Sequence, residues 1–175
     1  MKERHIIAAI ADNKAIGYNN DLIYKISDDL KRFKDLTLGN IVIMGRKTYE
    51  SIGSKPLKCR NNIVVTTQGI AIPDSEINNL FQVKTIEEAY ELAEEIDGNK
   101  IYVIGGAQLY KAALPYTEWL DLTEIFDSPG NVDTFFPDFA NDYLPVKRTG
   151  IYGAKLPYRF TVWRRRDCIS YLKEQ

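Results

Sequence analysis

Apolar residues along this chain occur in short continuous runs separated by segments with helical spacing. The continuous runs predict strands at residues 6–11, 41–44, 62–67, 80–83, 100–104, 119–126 and 158–165, with a weaker candidate near 146–152. Continuous apolar runs are typical of strands that are covered on both faces. The pattern therefore predicts a sheet that is buried between two outer layers.

Helical spacing fills the intervals between several of these runs. Helices are predicted from Ser27 to about residue 36, over 46–52, from the capping box Thr85–Glu88 to residue 96, and from Gly106 to Pro115. Alternation of strands and helices favours right-handed parallel crossovers. No helical pattern follows residue 119. We therefore predict an α/β fold in one domain, residues 1–175, with a three-layer, doubly wound mixed sheet. It should be mostly parallel, with an antiparallel C-terminal edge and about four helices.

Glycine follows an apolar strand and precedes a helix at two places. Residues 41–44 are followed by Gly45-Arg46-Lys47-Thr48, and residues 101–104 by Gly105-Gly106-Ala107-Gln108. The first amides of a helix are free to bind phosphate, and glycine allows a ligand to approach the backbone closely. Two such junctions suggest a dinucleotide. The alternative is that each glycine only forms a tight turn.

Asp29 is the acidic residue that the helical pattern places on an apolar face. It shares that face with Ile26, Phe33 and Leu36, whereas Asp28 points to water with its exposed neighbours. A carboxylate in such a place needs polar partners, and burial would raise its pKa. Asp29 is therefore either a cap at the edge of the core, with Ser27 as the N-cap residue, or a ligand-binding or proton-handling carboxylate.

Composition excludes several classes of function. A net charge of -1 gives no reason to expect nucleic acid or a membrane surface as a partner. The first apolar run is too short for a signal peptide, so we expect a cytoplasmic protein with Cys59 and Cys168 as free thiols. The single histidine, His5, excludes a histidine-rich metal site and has no plausible neighbours for a Ser-His-Asp arrangement. A cofactor is the expected source of chemistry.

A polar stretch at residues 13–25, which contains Gly17, separates the first strand from the first helix. Loops of this length are often lids or binding loops, although simple surface slack is the alternative.

Taken together, these segments resemble bacterial-type dihydrofolate reductases over nearly the whole chain. The matching segments are 7–11 with 15–17, 28–30 with 33–34 and 37–38, 42–53, 60–63, 104–110, 122–123 and 133–137. The Met-Gly-Arg-Lys-Thr and Ile-Gly-Gly blocks are each fairly specific. The resemblance implies reduction of dihydrofolate to tetrahydrofolate, with NADPH passing a hydride to pterin C6 while N5 is protonated.

The resemblance also implies a substrate site. Asp29 would bind the 2-amino group and N3 of the pterin, Thr123 would support that amino group, and Tyr24 stands where relatives have a catalytic-site tryptophan. Arg60 would grip the glutamate α-carboxylate. The other residues implied in substrate binding are Ile7, Phe33, Lys34, Ile52, Leu57, Ile104 and Tyr110.

For the cofactor, the resemblance implies contacts along the first strand, the two glycine junctions and the third predicted strand. These residues are Ala9, Ile16, Gly17, Gly45, Arg46, Lys47, Thr48, Thr66, Thr67, Ile104, Gly105, Gly106, Ala107, Gln108 and Leu109. Arg46 and Thr67 would lie near the adenosine 2′-phosphate, the Gly105–Gly106 peptide would be cis, and residues 15–21 would form a mobile lid over the nicotinamide.

Two departures from the family pattern stand out. Ile23-Tyr24 replaces the usual Pro-Trp, and Gln108 replaces an arginine near the adenosine phosphate. Three alternatives remain at this point. One is a reductase of the same fold that acts on a ribosylated pyrimidine, and another is a nucleotide-binding module without catalysis. The third is a phosphate-transfer enzyme, which is disfavoured because an apolar strand occupies the place of the Walker A loop. We expect a monomer, since no long apolar surface pattern is present.

Overall fold

The computed structural model describes residues 1–19, 21–72 and 79–170. Numbered in chain order, eight strands form the main sheet: β1 (Glu3–Ala11), β4 (Ile41–Gly45), β5 (Asn61–Val65), β6 (Leu80–Val83), β7 (Lys100–Gly105), β8 (Trp119–Ile125), β10 (Tyr143–Arg148) and β11 (Tyr158–Arg165). Three short strands, β2 (Ala15–Tyr18), β3 (Asp21–Leu22) and β9 (Thr134–Phe135), form a second sheet. The strand order of the main sheet is β10-β11-β8-β1-β7-β4-β5-β6.

The pairing of these strands confirms the predicted mixed sheet. The six strands from β8 to β6 are all parallel to their neighbours. At the other end, β11 runs antiparallel to β8, and β10 runs antiparallel to β11. The antiparallel edge therefore lies at the C-terminal end of the chain, as the loss of helical patterns after residue 119 predicts.

Helices cover both faces of the main sheet. They are α1 (Ser27–Thr37), α2 (Arg46–Ser51), α3 (Ile86–Glu95), α4 (Ala107–Ala113) and α5 (Arg166–Ser170), and a 3-10 turn, Leu114–Tyr116, extends α4. One core cluster joins the sheet to α3 and α4, and a second joins it to α1 and α2. Ile6 belongs to the first cluster and Ile7 to the second, because successive strand residues face opposite sides. This alternation produces the three layers.

Several predicted boundaries are wrong by a few residues. The strand predicted at 62–67 ends at Val65, the strand predicted near 146–152 runs from Tyr143 to Arg148, and α5 adds a helix after residue 119. Ser27 is the first helical residue and not the cap; Ile26 occupies the cap position and makes no side-chain capping bond. Assignments of helix ends commonly vary by one or two residues.

The capping box of α3 forms with one difference. Thr85 Oγ1 accepts a hydrogen bond from the Glu88 backbone N–H, as predicted, but the Glu88 carboxylate accepts from Lys84 N–H at 2.7 Å. No helix in the described ranges is long and apolar enough to cross a membrane.

The polar stretch at 13–25 is not a structureless loop. It holds β2 and β3, and β2 pairs with β9 as well, so Ala15 lies opposite Phe135. Asn20, which belongs to the predicted lid, lies outside the described residues. The β2–β9 pairing attaches this segment to the stretch that follows β8, which brings it to the carboxyl end of the parallel strands.

Candidate active site

Asp29 lies in the first turn of α1, and its carboxylate faces β8. Thr123 Oγ1 donates a hydrogen bond of 2.5 Å to Asp29 Oδ1, and Thr123 itself is fully buried. The Asp29 side is confirmed as the apolar face of α1, because Phe33 and Leu36 pack against the core cluster that contains Ile7. Asp28, in contrast, is exposed and accepts a hydrogen bond from the Tyr158 hydroxyl.

The ionisation of Asp29 is set by opposing effects. Burial raises the pKa of this carboxyl above its ordinary value, while the Thr123 hydrogen bond and the positive charge of Arg32 act in the opposite direction. A raised pKa in a partly buried carboxylate with one oxygen bonded to a hydroxyl is the property expected of a residue that binds a polar heterocycle or exchanges a proton with it.

The predicted apolar pocket residues lie on the α1 side of the sheet, as Asp29 does. Ile7 is buried on β1, and Phe33, Leu57 and Ile104 are partly buried and pack against the same cluster. Ile52 caps the C-terminus of α2 and is 39% exposed. These predicted pocket residues thus provide an apolar wall with one more exposed position at its rim.

Arg60 is held between the end of α1 and the loop before β5. Its Nη1 donates to Thr37 Oγ1 at 3.1 Å, its Nε donates to the Lys58 carbonyl, and its guanidinium lies 6.0 Å from the centre of the Phe33 ring. Burial lowers the pKa of the Arg60 guanidinium below its ordinary value. The second predicted cation, Lys34, is exposed on α1.

The two glycine junctions lie side by side, because β4 and β7 are neighbours in the sheet. An added Cβ at Gly45 would lie 3.7 Å from the Gly105 carbonyl oxygen. Gly105 has φ +128, and its Cβ would approach the Tyr110 hydroxyl at 3.3 Å and Thr48 Oγ1 at 3.4 Å. The Gly105–Gly106 peptide is cis, which confirms that expectation. The junctions thus share a surface of bare backbone that larger residues would fill.

Polar and charged residues border this backbone surface. Arg46, partly buried, pairs with Glu50 one turn later at 2.5 Å, while Lys47 and Gln108 are exposed. Past the end of β5, Thr66 is buried and Thr67 is exposed. On α4, Ala107 is partly buried, and Leu109 and Tyr110 pack in the core. The Tyr110 hydroxyl donates to the Ile7 carbonyl at 2.9 Å.

The segment that carries Tyr24 is tied to the end of β8. The Tyr24 hydroxyl donates a hydrogen bond to Asp127 Oδ2, and burial together with this bond raises the pKa of Tyr24 to about 12. A small cavity beside the ring is lined by Ala9, Ala15, Ile16, Leu22, Ile23 and Ile125. Two predicted cofactor residues, Ala9 and Ile16, are therefore close to Tyr24.

The remaining part of the predicted lid is held by Asp133. Its carboxylate accepts from the Asn19 backbone N–H at 2.9 Å, and its own N–H donates to the Gly17 carbonyl at 3.3 Å. The hydrogen bond from Asn19 is the main reason that the pKa of Asp133 is lowered. These contacts connect the segment between β1 and α1 to the stretch before β9.

A buried ionic cluster beneath Asp29 does not follow from the sequence patterns. Arg32 Nη2 donates to Asp121 Oδ1 at 3.1 Å, and Asp121 Oδ2 lies 2.7 Å from His5 Nδ1. The expectation that His5 lacks plausible neighbours is therefore wrong. The strand register brings the pair together, since His5 lies opposite Trp119 and Ile7 opposite Asp121. Cys59 and Cys168 are free, and the described ranges contain no cluster of His, Cys, Asp and Glu that would hold a metal ion.

Comparison with known proteins shows which family the chain resembles. A family model described as dihydrofolate reductase matches residues 4–165. A dihydrofolate reductase of Bacillus subtilis (strain 168) is 38% identical over 156 residues, which cover 88% of this chain and 88% of that protein. A type 3 dihydrofolate reductase of Salmonella typhimurium is 41% identical over 134 residues, 77% of this chain and 78% of that protein. A type A13 enzyme of Escherichia coli is 34% identical over 165 residues, 93% of this chain and 94% of that protein.

Proposed function

The chain belongs to the dihydrofolate reductase family and is an oxidoreductase that reduces dihydrofolate to tetrahydrofolate, and we propose that it uses NADPH and binds the pterin at Asp29. The observation that carries the proposal is the Asp29–Thr123 pair. A carboxylate with raised pKa lies in an apolar wall, and one of its oxygens is already bonded to a buried hydroxyl.

The substrate chemistry matches this pair. The 2-amino group and N3 of a pterin are adjacent N–H donors, so a carboxylate accepts from both while the ring lies against apolar side chains. Thr123 holds the carboxylate in place through one oxygen and supports the same amino group. Ile7 and Phe33 would cover the ring, and Arg60 and Lys34 would bind the carboxylates of the glutamate tail.

The proposed role of Asp29 in the reaction is to orient the pterin and to increase the basicity of N5. A negative charge that is hydrogen-bonded to the ring favours a protonated pterin, because opposite charges at short range stabilise each other more strongly in a partly buried site. Asp29 is the ionisable residue that we assign to the pterin, and the proton reaches N5 from water. NADPH, when bound, supplies the hydride that adds to C6.

The two glycine junctions fit a pyrophosphate-containing cofactor. Gly45 and Gly106 are partly buried and carry no Cβ beside the buried Gly105, and within the described ranges no side chain caps the start of α2 or α4, where the first amides of a helix can donate to phosphate. Arg46 and Lys47 would bind the 2′-phosphate of NADPH together with Thr67. Thr48 and Thr66 would contribute hydroxyl contacts near the same surface.

The segment at 15–21 is proposed to close over the nicotinamide. Among its described residues, the Asn19 bond to Asp133 is exposed and the pairing of β2 with β9 is short, whereas Ala15 is buried and Ile16 packs against the core. Ile16 and Gly17 would then contact the cofactor, and the Tyr24 ring would border the pterin.

The direct test follows the absorbance of NADPH when the purified protein is mixed with dihydrofolate. We expect oxidation of NADPH that requires both the protein and dihydrofolate, with a clearly lower rate when NADH replaces NADPH. A ribosylated aminopyrimidine should give no oxidation. Equal efficiency with NADH would contradict the phosphate assignment, and activity on the pyrimidine alone would contradict the substrate assignment.

We further propose that residues 1–175 form one domain and that the protein is a monomer. We also propose that it acts in the cytoplasm and that nucleic acid is not a partner. A single sedimentation boundary at the mass of one chain, 20.0 kDa, is the result expected for a monomer.

A further inference from the structure

Helix α1 and strand β8 meet at two successive levels. At the upper level, Thr123 on β8 bonds to Asp29 on α1. At the lower level, two residues back along β8, Asp121 bonds to Arg32, which lies three residues after Asp29 on the same helix. Residues three apart on a helix are neighbours, with Cβ atoms about 5–6 Å apart. The guanidinium is therefore on the same helix face as the Asp29 carboxylate, and its positive charge favours the ionised form of that carboxylate.

Asp121 and His5 of the lower level are buried, and Arg32 is partly buried. The exposed fractions of the side chains are 17% for Arg32, 7% for Asp121 and 8% for His5. The centre of the Phe160 ring lies 5.0 Å from the guanidinium carbon, so an aromatic face covers Arg32 on another side. Solvent therefore screens the charge of Arg32 much less than it screens a surface cation.

The charge of Arg32 is only partly compensated. Asp121 gives one oxygen to Arg32 and the other to His5, so it forms no two-pronged pair with the guanidinium. Arg32 Nη1 is buried and has no hydrogen-bond partner within the described ranges. A guanidinium has five N–H donors, and Arg32 shares its carboxylate partner with His5. Its positive charge is therefore not fully neutralised and also attracts the negative charge of Asp29.

We propose that Arg32, anchored by Asp121, is a positioning residue that stabilises the ionised form of the Asp29 carboxylate from one helical turn below the pterin site. The consequence for catalysis rests on the proposed function, whereas the effect on Asp29 itself does not. Arg32 touches neither substrate nor cofactor, and it acts through its charge and through its hold on the first turns of α1.

Other titratable and polar groups also face Asp29 and Asp121, and the variants proposed below leave these groups unchanged. Asp29 is faced by Thr123 from β8, by the Tyr110 hydroxyl from α4 and by Tyr158 from β11, and Asp28 precedes it on α1. Asp121 is faced by His5 and by the Tyr102 hydroxyl, and Glu3 and Lys100 lie behind His5 at the open end of the strands.

Substitutions of Arg32 and of Asp121 should shift the pKa of Asp29 in opposite directions. Arg32→Met removes a positive charge near Asp29, so the pKa of Asp29 should rise further above its ordinary value. Asp121→Asn removes a negative charge and leaves Arg32 less compensated, so the pKa of Asp29 should fall. A purely structural role in packing α1 on β8 would give shifts in the same direction for both variants, or none.

The experiment titrates Asp29 by NMR in protein labelled with carbon-13 at the aspartate carboxyl, with Asp29→Asn used to assign the resonance. Matched controls are Lys31→Met and Asp35→Asn, which make the same charge changes on the exposed side of α1. We expect a midpoint at higher pH in Arg32→Met, at lower pH in Asp121→Asn, and close to wild type in both controls. Arg32→Lys, which keeps the charge, should lie closer to wild type than Arg32→Met.

The pH dependence of kcat gives a second readout. The midpoint of its alkaline limb should move up in Arg32→Met and down in Asp121→Asn, because loss of a nearby positive charge favours protonation of Asp29 and of pterin N5, whereas loss of a negative charge disfavours it. Midpoints that do not move, or that move together, would overturn the proposal. If Arg32→Met does not fold, the proposal is judged on Arg32→Lys and Asp121→Asn. The NMR titration needs no turnover, so its failure is distinct from a failure of the proposed function.

Discussion

Thr123 and Asp29 are 94 residues apart in the chain, yet the Thr123 hydroxyl donates a 2.5 Å hydrogen bond to the Asp29 carboxylate. The bond joins the centre of the main sheet to the first turn of α1. It holds one carboxylate oxygen of Asp29, and in the proposed function the other oxygen binds the pterin.

Thr123→Val should weaken the binding of dihydrofolate without changing the shape of the pocket. Valine fills the same volume but cannot donate, and a hydrogen bond to a charged group contributes about 1.5–3 kcal/mol. We expect the Kd for dihydrofolate to rise at least tenfold and the pKa of Asp29 to rise further, because the Thr123 bond lowers it. Thr123→Ser, which keeps the hydroxyl, is the control. A Kd in Thr123→Val equal to that of wild type would remove this bond from the site.

Asp29→Asn should increase the stability of the folded protein at neutral pH. Burial raises the pKa of Asp29 in the folded state above its value in the unfolded chain. The folded state therefore binds the proton more tightly, and the stability that this provides is fully present below the ordinary aspartate pKa of about 4. That stability is lost as the pH rises through the raised folded-state pKa. Asparagine avoids this loss, so the variant should melt about 2–4 °C higher at neutral pH for each kcal/mol recovered.

The stability gain of Asp29→Asn should disappear as the pH falls below about 4. The exposed neighbour change Asp35→Asn should leave the melting temperature within about 1 °C, as surface substitutions generally do. A melting temperature of Asp29→Asn that is lower than wild type at neutral pH would show that the carboxylate is well compensated in the fold.

Tyr24→Phe tests the role of the Tyr24 hydroxyl, at the position where the family usually has tryptophan. Because this hydroxyl donates to Asp127, we expect Tyr24→Phe and Asp127→Asn to lower kcat by similar amounts, about fivefold for a loss of about 1 kcal/mol. The double variant should be no worse than either single variant, since both remove the same bond. A large loss in Tyr24→Phe with normal turnover in Asp127→Asn would instead indicate that the hydroxyl acts directly at the pterin.

Arg46→Met should reduce the preference for NADPH. Loss of a charged hydrogen bond to phosphate corresponds to a rise of about 10- to 100-fold in the KM for NADPH, with the KM for NADH nearly unchanged. Glu50→Gln is the informative partner variant, because Glu50 pairs with Arg46 in the structure. Releasing Arg46 should lower the KM for NADPH. Equal increases for both nucleotides in Arg46→Met would place Arg46 away from the 2′-phosphate.

The layered sheet could be predicted because its strands are covered on both faces and therefore appear as continuous apolar runs. The neighbouring positions of the two glycine junctions could not, since strand order is a property of packing and not of local sequence. Residues 15–18 and 21–22 are too short to show strand periodicity. They form strands because they pair with each other and because residues 15–18 also pair with Thr134 and Phe135. Ile26 occupies the α1 cap position instead of Ser27, a one-residue difference that lies within the usual variation of helix ends.

The Asp29 site was predictable because a carboxylate interrupts an apolar helix face. The ionic level beneath it was not. Arg32 and Asp121 are ordinary charged residues in their own segments, and only the docking of α1 on β8 shows that they are buried together with His5. Predicting such a cluster requires the pairing of β1 with β8, because this pairing places residues 5 and 121 close together on adjacent strands.

The pH–rate profile of Asp29→Asn, measured with NADPH and dihydrofolate, tests the central role of Asp29 most directly. We expect kcat near neutral pH to fall at least about 100-fold, the lower end of general acid–base effects, and the deficit to shrink as the pH falls because protonated substrate needs less assistance. Asp35→Asn should retain the wild-type profile. Turnover by Asp29→Asn equal to that of wild type across the pH range would contradict the account.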